Sequence, residues 1–283
     1  MKKSIERIVN NQTVWMGQTK IGQPLPQAGL DEISPFILLH HAAPEEIPPG
    51  GPAFEVAPHP HRGFEPITFV FQGEVEHRDS RGNEAVVKGG GVQWITSGMG
   101  IIHSEGVPKS FIETGGTLEI VQLWINLPKV LKMVQPNYQM FNREDIPVIE
   151  QTHSKINVIS GKINGSTGPI RSLTNITAAT IEMQVQGKVQ FDLPEGENGA
   201  IYQLSGSSQI NGQQVGNMQL VQLGTNGSEV EIESDTESKL LVLSGQSIDE
   251  PKKMWGPYVM NTQTEIMEAL RDYDMGKMGF LPR

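Results

Sequence analysis

With 283 residues, no cysteine and a net charge of −10, the chain excludes several function classes before any motif is read. Disulfides, thiolate metal sites, iron–sulfur clusters and cysteine nucleophiles are ruled out, and no basic footprint for nucleic acid is present. The opening segment MKKSIERIVNNQ lacks the apolar core of a secretory signal, no stretch reaches the roughly 18–20 apolar residues of a membrane span, and a cytoplasmic protein of two domains is expected.

In chain order, the first apolar strand is residues 35–39 (PFILL), closed by His40 and His41, of which strand alternation turns one inward. Phe54 and the pair His59-Pro-His61 follow, then Glu65 and a strand at 66–71 (PITFVF) that ends near Gly73. His77 falls in the hairpin beyond that glycine, where a solvated or turn-stabilising role is expected. A strand at 91–96 (GVQWIT) leads through Met99 and Ile101 to His103-Ser-Glu105, and another runs over 117–127 (TLEIVQLWINL). Phe54, Phe64, Trp94, Met99 and Ile101 are candidates to line an apolar pocket or to fill the core.

Residues 128–150 contain three prolines and mixed polarity, and read as the connection between domains. Beyond them His153 reads as a surface residue and 239–243 (KLLVL) as a strand. The clearest helix comes last. Thr262 and Glu265 form a capping box, Ile266, Met267, Leu270 and Tyr273 share a face, and Gly276 stops it.

Many short strands separated by turn residues indicate an all-β sandwich or barrel. Residues 67–95 and 200–221 echo one another as strand, glycine turn, strand, polar hairpin, strand, which points to two copies of one β-barrel. The expected division is 1–135 as a metal-binding barrel and 136–283 as a degenerate copy with the terminal helix. Of the seven histidines only His153 lies beyond the connection, so a histidine site belongs to the first copy.

On an extended strand, residues i and i+2 face the same way. His59/His61 and His103/Glu105 therefore each present two ligands to one point, and two adjacent strands would converge all four. Imidazole with carboxylate suits Fe, Mn, Co, Ni, Cu or Zn and disfavours Ca and Mg. Four protein ligands leave open positions on a five- or six-coordinate ion, as a catalytic metal requires.

Residues 58–65 (PHPHRGFE) and 93–105 (QWITSGMGIIHSE) resemble the signature segments of the pirin family. Residues 35–39 and 256–269 (GPYVMNTQTEIMEA) are similar to its strand before the site and its strand-to-helix ending. The resemblance implies a bicupin: all-β, with two cupin-type double-stranded β-helix barrels and a short C-terminal helix. It implies metal ligands His59, His61, His103 and Glu105, with iron the usual divalent metal and Mn, Co, Ni, Cu or Zn as alternatives. Glu65 occupies the general cupin ligand position but takes a structural role here, beside Arg62. The activity implied is quercetin 2,3-dioxygenase, with Glu105 as catalytic base, a small apolar aromatic substrate and O2. The alternative is a non-catalytic, iron-containing regulator that acts through a protein partner.

Overall fold

The structure is a computed structural model that describes residues 1–17, 19–52 and 54–282. Antiparallel strands dominate it, and among the described residues no helix is long and apolar enough to cross a membrane. The chain divides into two units, each assembled from two segments: Met1–His40 with Glu144–Ser247, and His41–Arg143 with Ile248–Arg283. This differs from the sequential halves expected above. The N-terminal strand Ile5–Asn10 pairs with Gln219–Leu223 in the first unit, and the terminal helix belongs to the second.

In the first unit a seven-stranded sheet runs in the order Ile5–Asn10, Gln219–Leu223, Asn198–Ser205, Ser238–Gly245, Ile176–Met183, Ser154–Ser160, Val148–Gln151. A four-stranded sheet of Lys188–Asp192, Glu229–Ser234, Ser208–Ile210 and Gln213–Val215 shares its core. Glu229–Ser234 shows why these segments are strands: Val230 and Ile232 are buried while Glu229, Glu231 and Glu233 are not, a period of two with one apolar face. Val189, Phe191, Val230 and Ile232 from one sheet meet Ile156, Val158, Ile181 and Val242 from the other. Each such side chain contributes about 1.5–3 kcal/mol by leaving water.

The second unit repeats the plan. One layer has the order Asn137–Phe141, Val92–Thr96, Phe64–Gln72, Gly116–Asn126 and Phe36–Ile47, the last strand being cut by the division at His40. The other has the order Glu55–His61, Ile101–Gly106, Glu74–Asp79, Glu84–Lys88. Residues 128–150 are more than a connection: Asn137–Phe141 pairs with Val92–Thr96, and Val148–Gln151 pairs with Ser154–Ser160.

The terminal helix is Gln263–Asp274, with both hydrogen bonds of the capping box formed between Thr262 and Glu265. Its buried face is Ile266 and Ala269, packed with Ile102, Tyr258, Met260 and Met278, whereas Met267 and Tyr273 are exposed. Burial thus follows i and i+3 rather than the stripe read from the sequence. Gly276 stands just beyond the helix at φ +72°, a left-handed position that favours glycine.

Candidate metal centre

The inner face of the second unit's shorter sheet is a lattice of metal-ligating side chains. His103 pairs across from His59 on one side and from Asp79 on the other, and Glu105 pairs across from His77. Period-two alternation puts His59, His61, His103, Glu105, His77 and Asp79 on one face.

The structure brings together His59, His61 and His103, whose ligand atoms lie within 4.8 Å of one another. Their ring centroids are 4.4–4.9 Å apart. Glu105 falls in a second, adjoining group with His77 and His103, under the same limit. His103 is common to both. Both groups lie in the second unit.

The donor set fits a transition metal. His59 directs Nδ1 at the carbonyl oxygen of Ala57, 2.9 Å away. A carbonyl only accepts, so Nδ1 carries the proton and Nε2 keeps its lone pair for the pocket. Two nitrogens on adjacent positions of one ion sit roughly 3–3.4 Å apart, and Nε2 of His59 is 3.1 Å from Nε2 of His61. Among the described residues neither buried ring nitrogen of His103 has a hydrogen-bond partner, a state that costs about 1–3 kcal/mol unless something binds there. Burial, reinforced by His59, holds His61 and His103 well below the ordinary imidazole pKa, with the Pro257 backbone partly opposing it at His61. Neutral imidazole is the form that ligates.

Glu105 is fixed from the opposite layer. Its Oε1 accepts from Thr68 Oγ1 at 3.1 Å and from Gln93 Nε2, and its Oε2 accepts from Gln122 Nε2 at 3.4 Å. Gln122 in turn accepts from the Trp124 indole at 3.1 Å, and Tyr138 donates to Gln93 Oε1 at 3.3 Å. Burial, with Glu105 and Asp79 nearby, pushes the Tyr138 hydroxyl pKa upward, so it stays a donor. Asp79 is buried, which works against its carboxylate. Hydrogen bonds from His77, Asn83 and the Arg81 and Asn83 backbone outweigh that and hold its pKa below the ordinary value.

His61 and His103 are buried while His59 is only partly so, which marks the open side. Phe64 and Trp124 meet His61 edge to face, with centroids at 5.1 and 5.4 Å, and supply an apolar wall. Of the other aromatic candidates, Phe54 packs into the core with Val75, Val107 and Phe111. Trp94 is fully buried next to inward-facing Gln93, so alternation sends it to the other face.

Several expectations change. His77 is fully buried, with Nε2 3.0 Å from Asp79 Oδ2, rather than solvated in a hairpin. Arg62 engages Asp272, while Glu65 accepts from Thr96 Oγ1 at 2.6 Å. Neither His40 nor His41 belongs to a donor group: His40 meets Gln23 at 2.7 Å and His41 meets Glu119 at 3.4 Å. His153 is exposed in a turn at φ +49°. Sequence reasoning missed His77, Gln93, Gln122, Trp124 and Tyr138, all of which alternation along their strands would have turned inward together.

Burial lowers the His40 pKa from 6.5 to about 4. The unfolded chain therefore takes up this proton first. The resulting stability is complete above pH 6.5 and is lost as pH falls toward 4. After allowance for partial exposure we expect a loss of about 2 kcal/mol, which His40→Gln should remove. Urea unfolding of both proteins at about pH 7.5 and about pH 4.5 measures it; equal losses in the two would refute this assignment.

Three comparisons place this arrangement among known proteins. The Pirin family model matches residues 18–125, and the model for the Pirin C-terminal cupin domain matches residues 178–279. A Pseudomonas aeruginosa protein provisionally named quercetin 2,3-dioxygenase is 38% identical over 247 residues, covering 87% of this chain and 86% of its own length. Pirin-1 of Arabidopsis thaliana is 33% identical over 271 residues, covering 93% and 88%. The crystal structure of quercetin 2,3-dioxygenase from Acinetobacter baumannii superposes with a TM-score of 0.93 at 35% identity, covering 99% of both chains.

Proposed function

This chain is a bicupin of the pirin family, and from that premise we propose that it is a metal-dependent dioxygenase that opens flavonols such as quercetin. The observation that carries the reading is the joining of two features around His61. Imidazoles converge at His59, His61 and His103, and an aromatic wall of Phe64 and Trp124 stands against His61. A flat, apolar substrate with adjacent hydroxyl and carbonyl oxygens matches both.

His59, His61, His103 and Glu105 would hold the ion, and iron is the metal we propose. When bound, such a metal acts as a Lewis acid that lowers the pKa of a substrate hydroxyl. Glu105 is placed to accept that proton, because Oε2 receives only a long hydrogen bond from Gln122 while Oε1 is fixed by Thr68 and Gln93. Phe64 and Trp124 orient the ring system and exclude water from its inner edge. Overall, O2 is consumed and one ring carbon leaves as carbon monoxide.

The test is oxygen uptake with quercetin, using protein stripped of metal and reloaded with iron, manganese, cobalt, nickel or copper in turn. Metal-dependent uptake that disappears in His59→Ala is the expected outcome. If every metal binds and none supports uptake, the flavonol reading is wrong.

A further inference from the structure

The second donor group contains a residue that the proposed ligand set leaves unused. His77 lies on the strand Glu74–Asp79, directly across from Glu105 and on the same face as Asp79. The residue is fully buried, and its ring is clamped: it stacks on Tyr138 with centroids 4.2 Å apart and planes within 11°. Its Nε2 sits 3.0 Å from Asp79 Oδ2.

Asp79 is fixed in turn. Its Oδ1 accepts from the backbone N–H groups of Arg81 and Asn83 at 2.8 and 3.1 Å, and its Oδ2 accepts from Asn83 Nδ2 at 2.8 Å. An ionised carboxylate only accepts, so the His77 proton is on Nε2 and the lone pair on Nδ1. That Nδ1 is buried with no hydrogen-bond partner among the described residues. One donor atom from each of His77, His103 and Glu105 lies within 4.8 Å of the others. A buried imidazole with one nitrogen on a carboxylate and the other free beside two further donors is the carboxylate–histidine arrangement that orients metal ligands.

We infer that His77 binds the metal through Nδ1, forming with His103 and Glu105 an inner donor set that adjoins His59, His61 and His103, with Asp79 as the residue that positions it. The inference rests on the proposal that this pocket takes a divalent transition metal. It explains why Glu105 is grouped with His77 rather than with His59 and His61: the shared His103 lets an ion engage the inner set without losing contact with the outer one.

Imidazole nitrogen NMR of the wild-type protein, titrated with Zn2+, reads each histidine separately. The expected result is that Nδ1 of His77 leaves its lone-pair position and moves upfield as zinc is added. If His59, His61 and His103 respond while His77 Nδ1 stays, the inference is overturned and the metal site stands. If no histidine responds, the metal reading itself is overturned. Calorimetry on His77→Gln gives a second measure, because the glutamine amide keeps a donor for Asp79 and removes the imidazole. Zinc affinity should drop at least about tenfold with the circular dichroism unchanged, and affinity equal to wild type overturns the assignment. Asp79→Asn should weaken binding less than His77→Gln, since it leaves the imidazole in place.

Discussion

Alanine in place of His103 is expected to strip the pocket of metal and of turnover together, with zinc or iron affinity reduced by well over about a hundredfold. Losing a residue that only orients a metal ligand already costs roughly 10–100-fold in affinity, and His103 is itself a donor in both groups. It is fully buried, and neither ring nitrogen has a hydrogen-bond partner among the described residues. The remaining donors do not converge without it: Glu105 is tied to Thr68, Gln93 and Gln122, His59 stands at the open side, and His77 shares a group with Glu105 only through His103. By contrast, His59→Ala leaves His77, His103 and Glu105 together, so residual binding should survive there even where turnover is lost. Metal analysis of the two purified variants, with oxygen uptake beside it, checks the ordering. Equal retention of metal in both would show that His103 is not the shared donor.

How much of this was legible beforehand depends on the range of the interaction. His59/His61 and His103/Glu105 announce themselves because two residues apart on a strand means one face, and a local rule suffices. His77 obeys the same rule. In Glu74-Val-Glu-His-Arg-Asp79, the residues Val75, His77 and Asp79 alternate against Glu74, Glu76 and Arg78. Gly73 signals a turn before the strand, whereas the turn of this hairpin comes later, between strands Glu74–Asp79 and Glu84–Lys88.

The prolines of 128–150 mark the crossing from one unit to the other, which falls at Arg143 and Glu144, but they also hide two strands. Pro136 and Pro147 each stand immediately before a strand, Asn137–Phe141 and Val148–Gln151, at sheet edges where a missing N–H does little harm. What left no local trace is the exchange of terminal segments. Ile5–Asn10 finds Gln219–Leu223, and residues 248–283 join the second unit, through pairings and packing set by distant partners. The helix itself was readable from its capping box, but its buried face was not. Ala269 rather than Met267 turns inward, into the cluster of Tyr258, Met260 and Met278.

Arg62→Leu should lower the melting temperature of the protein by roughly 6–12 °C, the largest stability effect we expect from a single surface-distant charge. The guanidinium is buried, with Nη1 and Nη2 both 3.0 Å from Asp272 Oδ2 on the terminal helix and Nε 2.7 Å from the Met99 carbonyl. One side chain therefore ties the end of the strand that carries His59 and His61 to the loop before His103 and to the helix. Removing one partner of a buried pair costs about 3–5 kcal/mol, because the other is left uncompensated. Asp272 retains some exposure, so the lower end applies, about 3 kcal/mol, and each kcal/mol shifts a melt by roughly 2–4 °C in a protein of this size. The backbone around Arg62 has little freedom to adapt. Its carbonyl accepts from Val259 N at 3.0 Å, and at Gly63, φ +87°, a Cβ would sit 2.1 Å from the Val259 oxygen. Lysine should not rescue, since a point charge on a flexible stem cannot reach Asp272 and the Met99 carbonyl at once. The neighbouring pair of Lys277 with Asp272, at 2.8 Å, gives the contrast: Lys277 is 53% exposed, and Lys277→Ala should move the melt by under about 2 °C. If Arg62→Leu and Lys277→Ala melt alike, the terminal helix is held by Ile266, Ala269 and their apolar neighbours alone, and the fork onto Asp272 contributes nothing to its seating.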